Sequence, residues 1–251
     1  LFKREPNGLR LTEAGESALA HAREILRQTR AMEEGMGLLA RQGRKVTIKV
    51  GFLPTTLPGF LAEGMRRFNR RHAKACVQIF EMSPREQEEA LRSGEIDLAL
   101  IGEPRPELRS EFLVRTLCRI PMAIVVPDDH RLARRKSVDL AELEEETFVS
   151  LHENQFPDRP RLLRNLFSRA GINPKVSVEA HGLSELLALV GAGAGVAVAP
   201  ADLDQLPHVG VRFLRMRKPR LTLQHSAAWR KSGDASAVEA FVDELAGGAD
   251  G

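Results

Sequence analysis

Long apolar runs are missing from this sequence. Nowhere do about 18 apolar residues follow one another, so no segment is suited to cross a membrane as a helix. The opening stretch, LFKREPNGLR, has no charged-then-apolar signal pattern, which favours a cytoplasmic protein over an exported one. Cysteine is scarce: Cys76 and Cys118 are the two present, each inside an apolar or strand-like run. They are expected to be buried free thiols in a reducing compartment, not a disulfide. The seven histidines are scattered, and none pairs with another at metal-ligand spacing beside a Cys or carboxylate cluster. No metal is therefore expected.

Motifs of enzymes and cofactor sites are missing too. There is no P-loop. Gly191-Ala192-Gly193-Ala194-Gly195-Val196 imitates a dinucleotide loop, but its last required glycine is Val196. It also follows a helical pattern and precedes a strand, the reverse of the order such a loop needs. Its expected use is structural, with small residues ending a helix and letting backbones approach closely. Gly182-Leu183-Ser184-Glu185-Leu186 lacks the second glycine of a nucleophile elbow. Asp97 and Glu81 stand at strand ends, where carboxylates are usually surface groups. No acid–base pair suggests catalysis, so neither an enzyme nor a cofactor is expected.

What is present is ordinary globular composition, 43% hydrophobic and 28% charged, in 251 residues. That length suits one or two domains. The net charge of +3 is unevenly placed. Residues 1–45 hold nine bases and six acids, leaving 28 of each for the remainder. A basic end on a neutral body hints at a polyanion contact there, although a solvated helix surface would look the same. The run Arg131 to Lys136 is expected to be a solvated loop.

Pro6-Asn7-Gly8 has turn chemistry, since Asn and Gly tolerate positive φ. Leu1-Phe2-Lys3 and Leu9-Arg10-Leu11 flank it as two short strands, a hairpin with basic residues. Thr12 is placed to cap a helix whose first turn carries Glu13. Leu19, Ala22, Leu26, Thr29, Met32, Met36 and Leu39 then recur at steps of three and four. They form a narrow apolar seam on a helix of about seven turns that ends near Gly43. So long a helix with so narrow a seam suits pairing with a partner helix.

From Val46 the pattern becomes β-α-β-α-β: strands at 46–52, 76–82 and 96–101, helices at 60–68 and from Ser83. Ser83 is the expected N-cap, Pro84 takes the first turn, Glu86 completes a capping box, and Gly94 ends the helix. Such an order implies a parallel sheet with right-handed crossovers. A similar pattern repeats: strands at 121–126, 148–151, 175–178 and 196–199, helices at 140–145, 161–170 and 183–192. An amphipathic helix over 235–245 closes the chain. Two α/β lobes imply a ligand cleft outside the carboxyl ends of the strands. Helix starts at Thr55-Thr56 and Ser83 would offer N–H groups and hydroxyls suited to a small carboxylate. Each residue has a second reading as the cap of its own helix, and for Ser83 that is the better one.

LFKREPNGLRLTEAG resembles the wing and final turn of the winged helix-turn-helix in LysR-type transcriptional regulators. Leu1, Phe2, Arg4, Gly8, Leu11, Thr12, Glu13, Ala14 and Gly15 carry the match. EMSPREQEEALRSGEIDLALIG resembles the second helix and third strand of the family's effector domain, and LLALVGAGAGVAVAP the helix–turn–strand of its second lobe. The likeness covers the whole chain in order. It implies an α/β fold: a two-lobe, periplasmic-binding-protein-like effector domain preceded by a wing remnant and a long linker and dimerisation helix. The expected division is wing 1–11, linker helix 12–45, first lobe 46–117 with 225–251, and second lobe 118–224. The chain then starts inside a DNA-binding domain, and Lys3, Arg4 and Arg10 would contact DNA backbone. Such contacts position a protein without reading bases. Leu19, Ala22, Leu26, Met32, Met36 and Leu39 would pair subunits into a homodimer or homotetramer.

The likeness further implies a small, carboxylate-bearing effector between the lobes. Family members usually place Ser or Thr at the first helix start, where this chain has Thr55. At the second, this chain has Pro84, with Ser83 one residue earlier. The loop 152–161 would border the cleft. The candidate effector contacts are Thr55, Thr56, Ser83, Pro84, Gly102, Phe156 and Pro160. A solute-binding protein serving a transporter is the alternative, but it has no use for a wing and a pairing helix.

Overall fold

The computed structural model describes residues 1–5, 8–39, 46–231 and 235–247. The expected turn residues Pro6 and Asn7 lie outside the described residues, as does Gly43. Strands β1 (Phe2–Glu5) and β2 (Gly8–Leu11) pair antiparallel, with Lys3 directly opposite Arg10. Helix α1 (Glu13–Leu39) follows. Thr12 caps it, since its hydroxyl accepts from the Gly15 amide at 3.1 Å. At 27 residues α1 is about 40 Å long.

The first lobe begins with β3 (Val46–Phe52) and a 3-10 turn at Pro54–Thr56. Then come α2 (Ala62–Arg71), β4 (Ala75–Glu81), α3 (Pro84–Ser93), β5 (Leu98–Ile101) and α4 (Pro106–Glu111). β3 pairs in parallel with both β4 and β5, as the βαβ spacing requires. The cap of α3 forms as its sequence dictates. The Ser83 amide donates to Glu86 Oε2 at 2.7 Å, and the Glu86 amide donates to Ser83 Oγ at 3.4 Å. Gly94 ends the helix at φ 75°, a conformation open to glycine.

β6 (Phe112–Pro127) is 16 residues long. After it come β7 (Ser137–Val138), β8 (Phe148–Leu151), α5 (Arg159–Ala170), β9 (Val176–Ala180) and α6 (Leu183–Gly191). β10 (Ala197–Pro200), β11 (Val211–Met216), β12 (Thr222–Arg230) and α7 (Ser236–Ala246) complete the chain. One sheet runs in the order β4-β3-β5-β12-β6-β11-β7, with β10 also on β6. β8 and β9 form a separate parallel pair. The first part of β6 pairs with β12, Phe112 opposite Arg230 through Pro121 opposite Thr222. The rest pairs with β10 and β11. β6 thus belongs to both lobes.

Both faces of each lobe's sheet are covered. On β5, Leu98 and Leu100 pack toward α2 and α7, while Ala99 and Ile101 pack toward α3 and α4. Phe68 of α2 meets Phe241 of α7 edge to face, ring centres 5.1 Å apart. In the second lobe, Ile124 faces Phe148 and Leu166 on one side, and Val125 faces Leu186 and Val190 on the other.

Several expectations need correction. The strand expected at 121–126 begins at Phe112, because residues 112–120 find their partner in β12, over a hundred residues later. β11, β12 and α4 have no counterpart in the sequence reading. The helix expected from Phe60 starts at Ala62. It is preceded by the 3-10 turn and a wide turn over Leu57–Leu61 that kinks at Gly59. Cys76 is exposed, not buried: β4 is an edge strand and Cys76 sits on its solvent side. Both cysteines are free thiols. The run 131–136 is a largely solvent-exposed loop as expected, and within it Arg131 pairs with Glu146 and Arg135 with Glu142.

Candidate functional site

A cavity of about 480 Å³ lies between the lobes. Leu53, Thr55, Pro84, Gly102 and Arg105 wall it from the first lobe, and Leu151, Phe156, Arg159, Leu183 and Pro200 from the second. Of the seven expected contacts, four line it: Thr55, Pro84, Gly102 and Phe156. Thr55 is 2% exposed, and no described residue bonds its hydroxyl. Thr56 does not line the cavity; its hydroxyl donates to the Leu53 carbonyl at 2.8 Å and closes its own turn. Ser83 and Pro160 are also outside the lining.

The start of α3 has few donors left for a ligand. Pro84 has no N–H, and the Glu86 amide is held by Ser83. The Arg85 amide donates at 3.3 Å to the carbonyl of Gln155, in the loop before α5. That bond joins the two lobes at the cavity's edge.

Charges at the rim form a chain across the same gap. Glu88 of α3 is bonded by the Arg105 guanidinium, and Arg105 Nε lies 3.6 Å from Asp158 Oδ2, just before α5. Arg161 lies 3.2 Å from Asp158 Oδ1. Burial holds the Glu88 carboxyl above its usual range, against the opposing pull of Arg105 and then Arg92. Arg159 differs from these. It is buried, Nη2 donates to the Val198 carbonyl, Nε has no partner, and no described carboxylate pairs with it. Burial pushes its guanidinium down to about 10. The sequence reading named Phe156 and Pro160 on either side of Arg159 and missed it. One signal was available: a cation in the first turn of a helix opposes the helix dipole.

Behind the cavity, the 54–56 turn rests against a second turn at 201–205. His225 of β12 is 1% exposed, its Nε2 lies 3.4 Å from Asp202 Oδ2, and neither ring nitrogen makes a hydrogen bond to a described residue. Burial pushes the neighbouring Cys118 thiol up to about 11, with the Asp202 charge adding to it. A larger open groove of about 920 Å³ runs beside β11, lined by Arg215, Arg217, Lys218 and Arg220 with Asp139. None of the expected contacts is there.

At the front, Lys3 and Arg10 are exposed on one hairpin, and Arg4 lies in β1 with its side chain outside the described residues. Leu19 and Ala22 are exposed on α1, and Ile25, which the seam omitted, is 63% exposed. The side chains of Leu26, Met32, Met36 and Leu39 lie outside the described residues. Among the described residues no helix is long and apolar enough to cross a membrane, and no cluster suits a metal.

A family model, the LysR substrate binding domain, matches residues 41–250. The HTH-type transcriptional regulator ShiR of Corynebacterium glutamicum is 30% identical over 97% of this chain and 82% of its own. The effector binding domain of QuiR, solved in complex with shikimate, superposes at a TM-score of 0.71 and 19% identity. That match covers 82% of this chain and 98% of QuiR's. Full-length CbnR, solved with its target DNA, superposes at 0.73 and 23% identity, over 96% of this chain and 83% of its own.

Proposed function

Because this chain belongs to the LysR-type transcriptional regulators, we propose that it is a ligand-responsive, DNA-binding regulator that senses a small carboxylate between its lobes. The observation that carries the proposal is the interlobe cavity, into which both lobes send residues and where the hydroxyl of Thr55, a buried residue, has no hydrogen-bond partner among the described residues. Thr55 would hydrogen-bond the effector, and Pro84, Gly102 and Phe156 would shape its pocket. Thr56, Ser83 and Pro160 would support them from outside the lining. Relatives with an effector or DNA in hand support the reading: the QuiR effector domain holds shikimate, the BenM effector binding domain holds benzoate, and CbnR holds DNA.

The proposed division of labour follows the chain: wing 1–11, linker helix 12–45, first lobe 46–117 with 225–251, second lobe 118–224. Lys3, Arg4 and Arg10 would touch DNA phosphates. Lys3 and Arg10 stand directly opposite each other across the hairpin and would face the polyanion together. Leu19, Ala22, Leu26, Met32, Met36 and Leu39 would pair α1 with its copy in a homodimer or homotetramer. An effector that prefers one arrangement of the lobes shifts the population toward it and so changes the spacing of the paired DNA-binding heads. The protein would work in the cytoplasm, by binding and without catalysis or a cofactor.

The test is a thermal-shift screen of the 251-residue chain against benzoate, shikimate and aliphatic carboxylates, repeated with Thr55→Val. A ligand at about one hundred times its Kd stabilises by about 2.7 kcal/mol. Stabilisation by a carboxylate that Thr55→Val abolishes supports the proposal. No stabilisation by any carboxylate defeats it.

A further inference from the structure

We propose that Arg159 is the anion receptor of the interlobe cavity and limits its effector to an apolar-bodied monocarboxylate. The inference rests on the effector site proposed above and adds the residue and the ligand class.

Charge accounting in the cavity wall leads to it. Glu88, Arg105, Asp158 and Arg161 form a continuous chain of two acids and two bases, so their charges are satisfied among themselves. Two groups are left over, Arg159 and the solvent-exposed Glu103, and no ion pair joins them among the described residues. The Arg159 side chain lines the cavity and is 8% exposed, and the Val198 carbonyl is its acceptor. One neutral carbonyl compensates a desolvated guanidinium poorly, and an unpaired buried charge is costly. Its Nε is buried and has no hydrogen-bond partner among the described residues. A carboxylate seated in the cavity would supply the missing counter-charge. The low dielectric that makes the unpaired cation costly also strengthens its bond to that anion.

The remaining walls set the ligand's other end. Leu53, Ile101, Leu151, Phe156, Leu183 and Leu223 present hydrocarbon. The cations near them besides Arg159 already hold acids. A second carboxylate on the ligand would meet Glu88, Glu103 or Asp158 and find no free counter-charge. A volume of about 480 Å³ takes a ring-sized body with room for substituents.

The experiment measures binding by calorimetry and thermal shift with matched probes: benzoate against benzamide, cyclohexanecarboxylate against its amide, and terephthalate as the dianion. Each is run on the 251-residue chain and on the Arg159→Met, Arg159→Lys and Thr55→Val variants. Expected results are a monocarboxylate that binds the unaltered chain at least tenfold more tightly than its amide or than terephthalate, and a loss of at least tenfold in Arg159→Met. Arg159→Lys is expected to fall between, because it keeps the charge without the planar fork. Equal binding of acid and amide overturns the inference on the unaltered protein, even if the variants fail to fold. Carboxylate binding that Arg159→Met retains and Thr55→Val loses overturns the inference and leaves the effector site standing. Binding of no carboxylate at all overturns both.

Discussion

Arg105 of the first lobe and Asp158 of the second face each other at 3.6 Å across the mouth of the cavity. The Arg85 amide and the Gln155 carbonyl meet beside them at 3.3 Å. Together they tie the lobes at the edge of the cavity. Both side chains are about a third or more exposed, at 33% and 42%, so the ion pair alone contributes little, about 0–1 kcal/mol. Asp158→Asn should therefore leave the urea midpoint nearly unchanged. It should raise hydrogen exchange at the Arg85 amide, because the lobes part more often.

Arg105→Met should cost more. It takes the close partner from the buried Glu88 and leaves only Arg92, at 3.7 Å. An under-satisfied buried group costs about 1–3 kcal/mol. The double variant Arg105→Met with Glu88→Gln should recover part of that loss, which paired urea melts would read as a coupling energy.

Glu88 also gives stability a pH dependence of known sign. Its folded-state carboxyl is held above the usual range, chiefly by burial. The folded protein therefore binds this proton more tightly than the unfolded chain does. The contribution is complete below the ordinary carboxyl range near about 4.3 and is lost as pH rises through the raised value. Melting temperatures recorded upward from about pH 4 should show that loss, and Glu88→Gln should remove that part of the slope.

The two thiols should react at different rates. Cys76 is exposed on an edge strand, while Cys118 is half-buried with its thiol pushed up to about 11. Thiolate is the reacting form, so Cys118 presents little of it near neutral pH. A disulfide reagent should modify Cys76 in a fast phase and Cys118 in a slow one. Cys76→Ser should delete the fast phase alone.

Two substitutions probe the packing that holds the cavity walls. Phe241→Ala removes the ring that meets Phe68 edge to face and should cost about 3–5 kcal/mol in a denaturant melt. Gly195→Ala places a Cβ against the Thr147 carbonyl in a backbone conformation, φ 150°, that other residues avoid. It should cost about 1–3 kcal/mol, whereas Gly182→Ala, with open space around it, should cost less.

Elements with local causes were legible in the sequence. Thr12 caps α1 and Ser83 with Glu86 caps α3 through atoms three residues apart, so a short stretch holds all the information needed. The GAGAG stretch was legible for the same reason: alternating small residues at a helix end mark close backbone approach, here Gly195 against Thr147 and Gly191 against Val209. The parallel order of β3, β4 and β5 follows from spacing and handedness alone. Thr55, now in the cavity wall, was legible as a helix start facing the expected cleft, whereas Pro84, Gly102 and Phe156 were expected there with the family resemblance in hand.

What stayed hidden depends on contacts distant in sequence. The first half of β6 is half-exposed, and its apolar residues are interrupted irregularly by Arg115, Thr116 and Arg119, so its alternation is weak. Its existence as strand is decided by β12, which supplies the hydrogen bonds from over a hundred residues away. Ser83 looks like a donor-rich helix start until Gln155 arrives from the other lobe and takes the Arg85 amide. Arg159 is one arginine among many in sequence. Only the fold strips its water, seats it against Val198 and gives Glu88 and Asp158 to other cations. Local hydrogen bonding and periodicity are written in neighbouring residues; desolvation and charge pairing are properties of the assembled walls, and only the tertiary structure decides them.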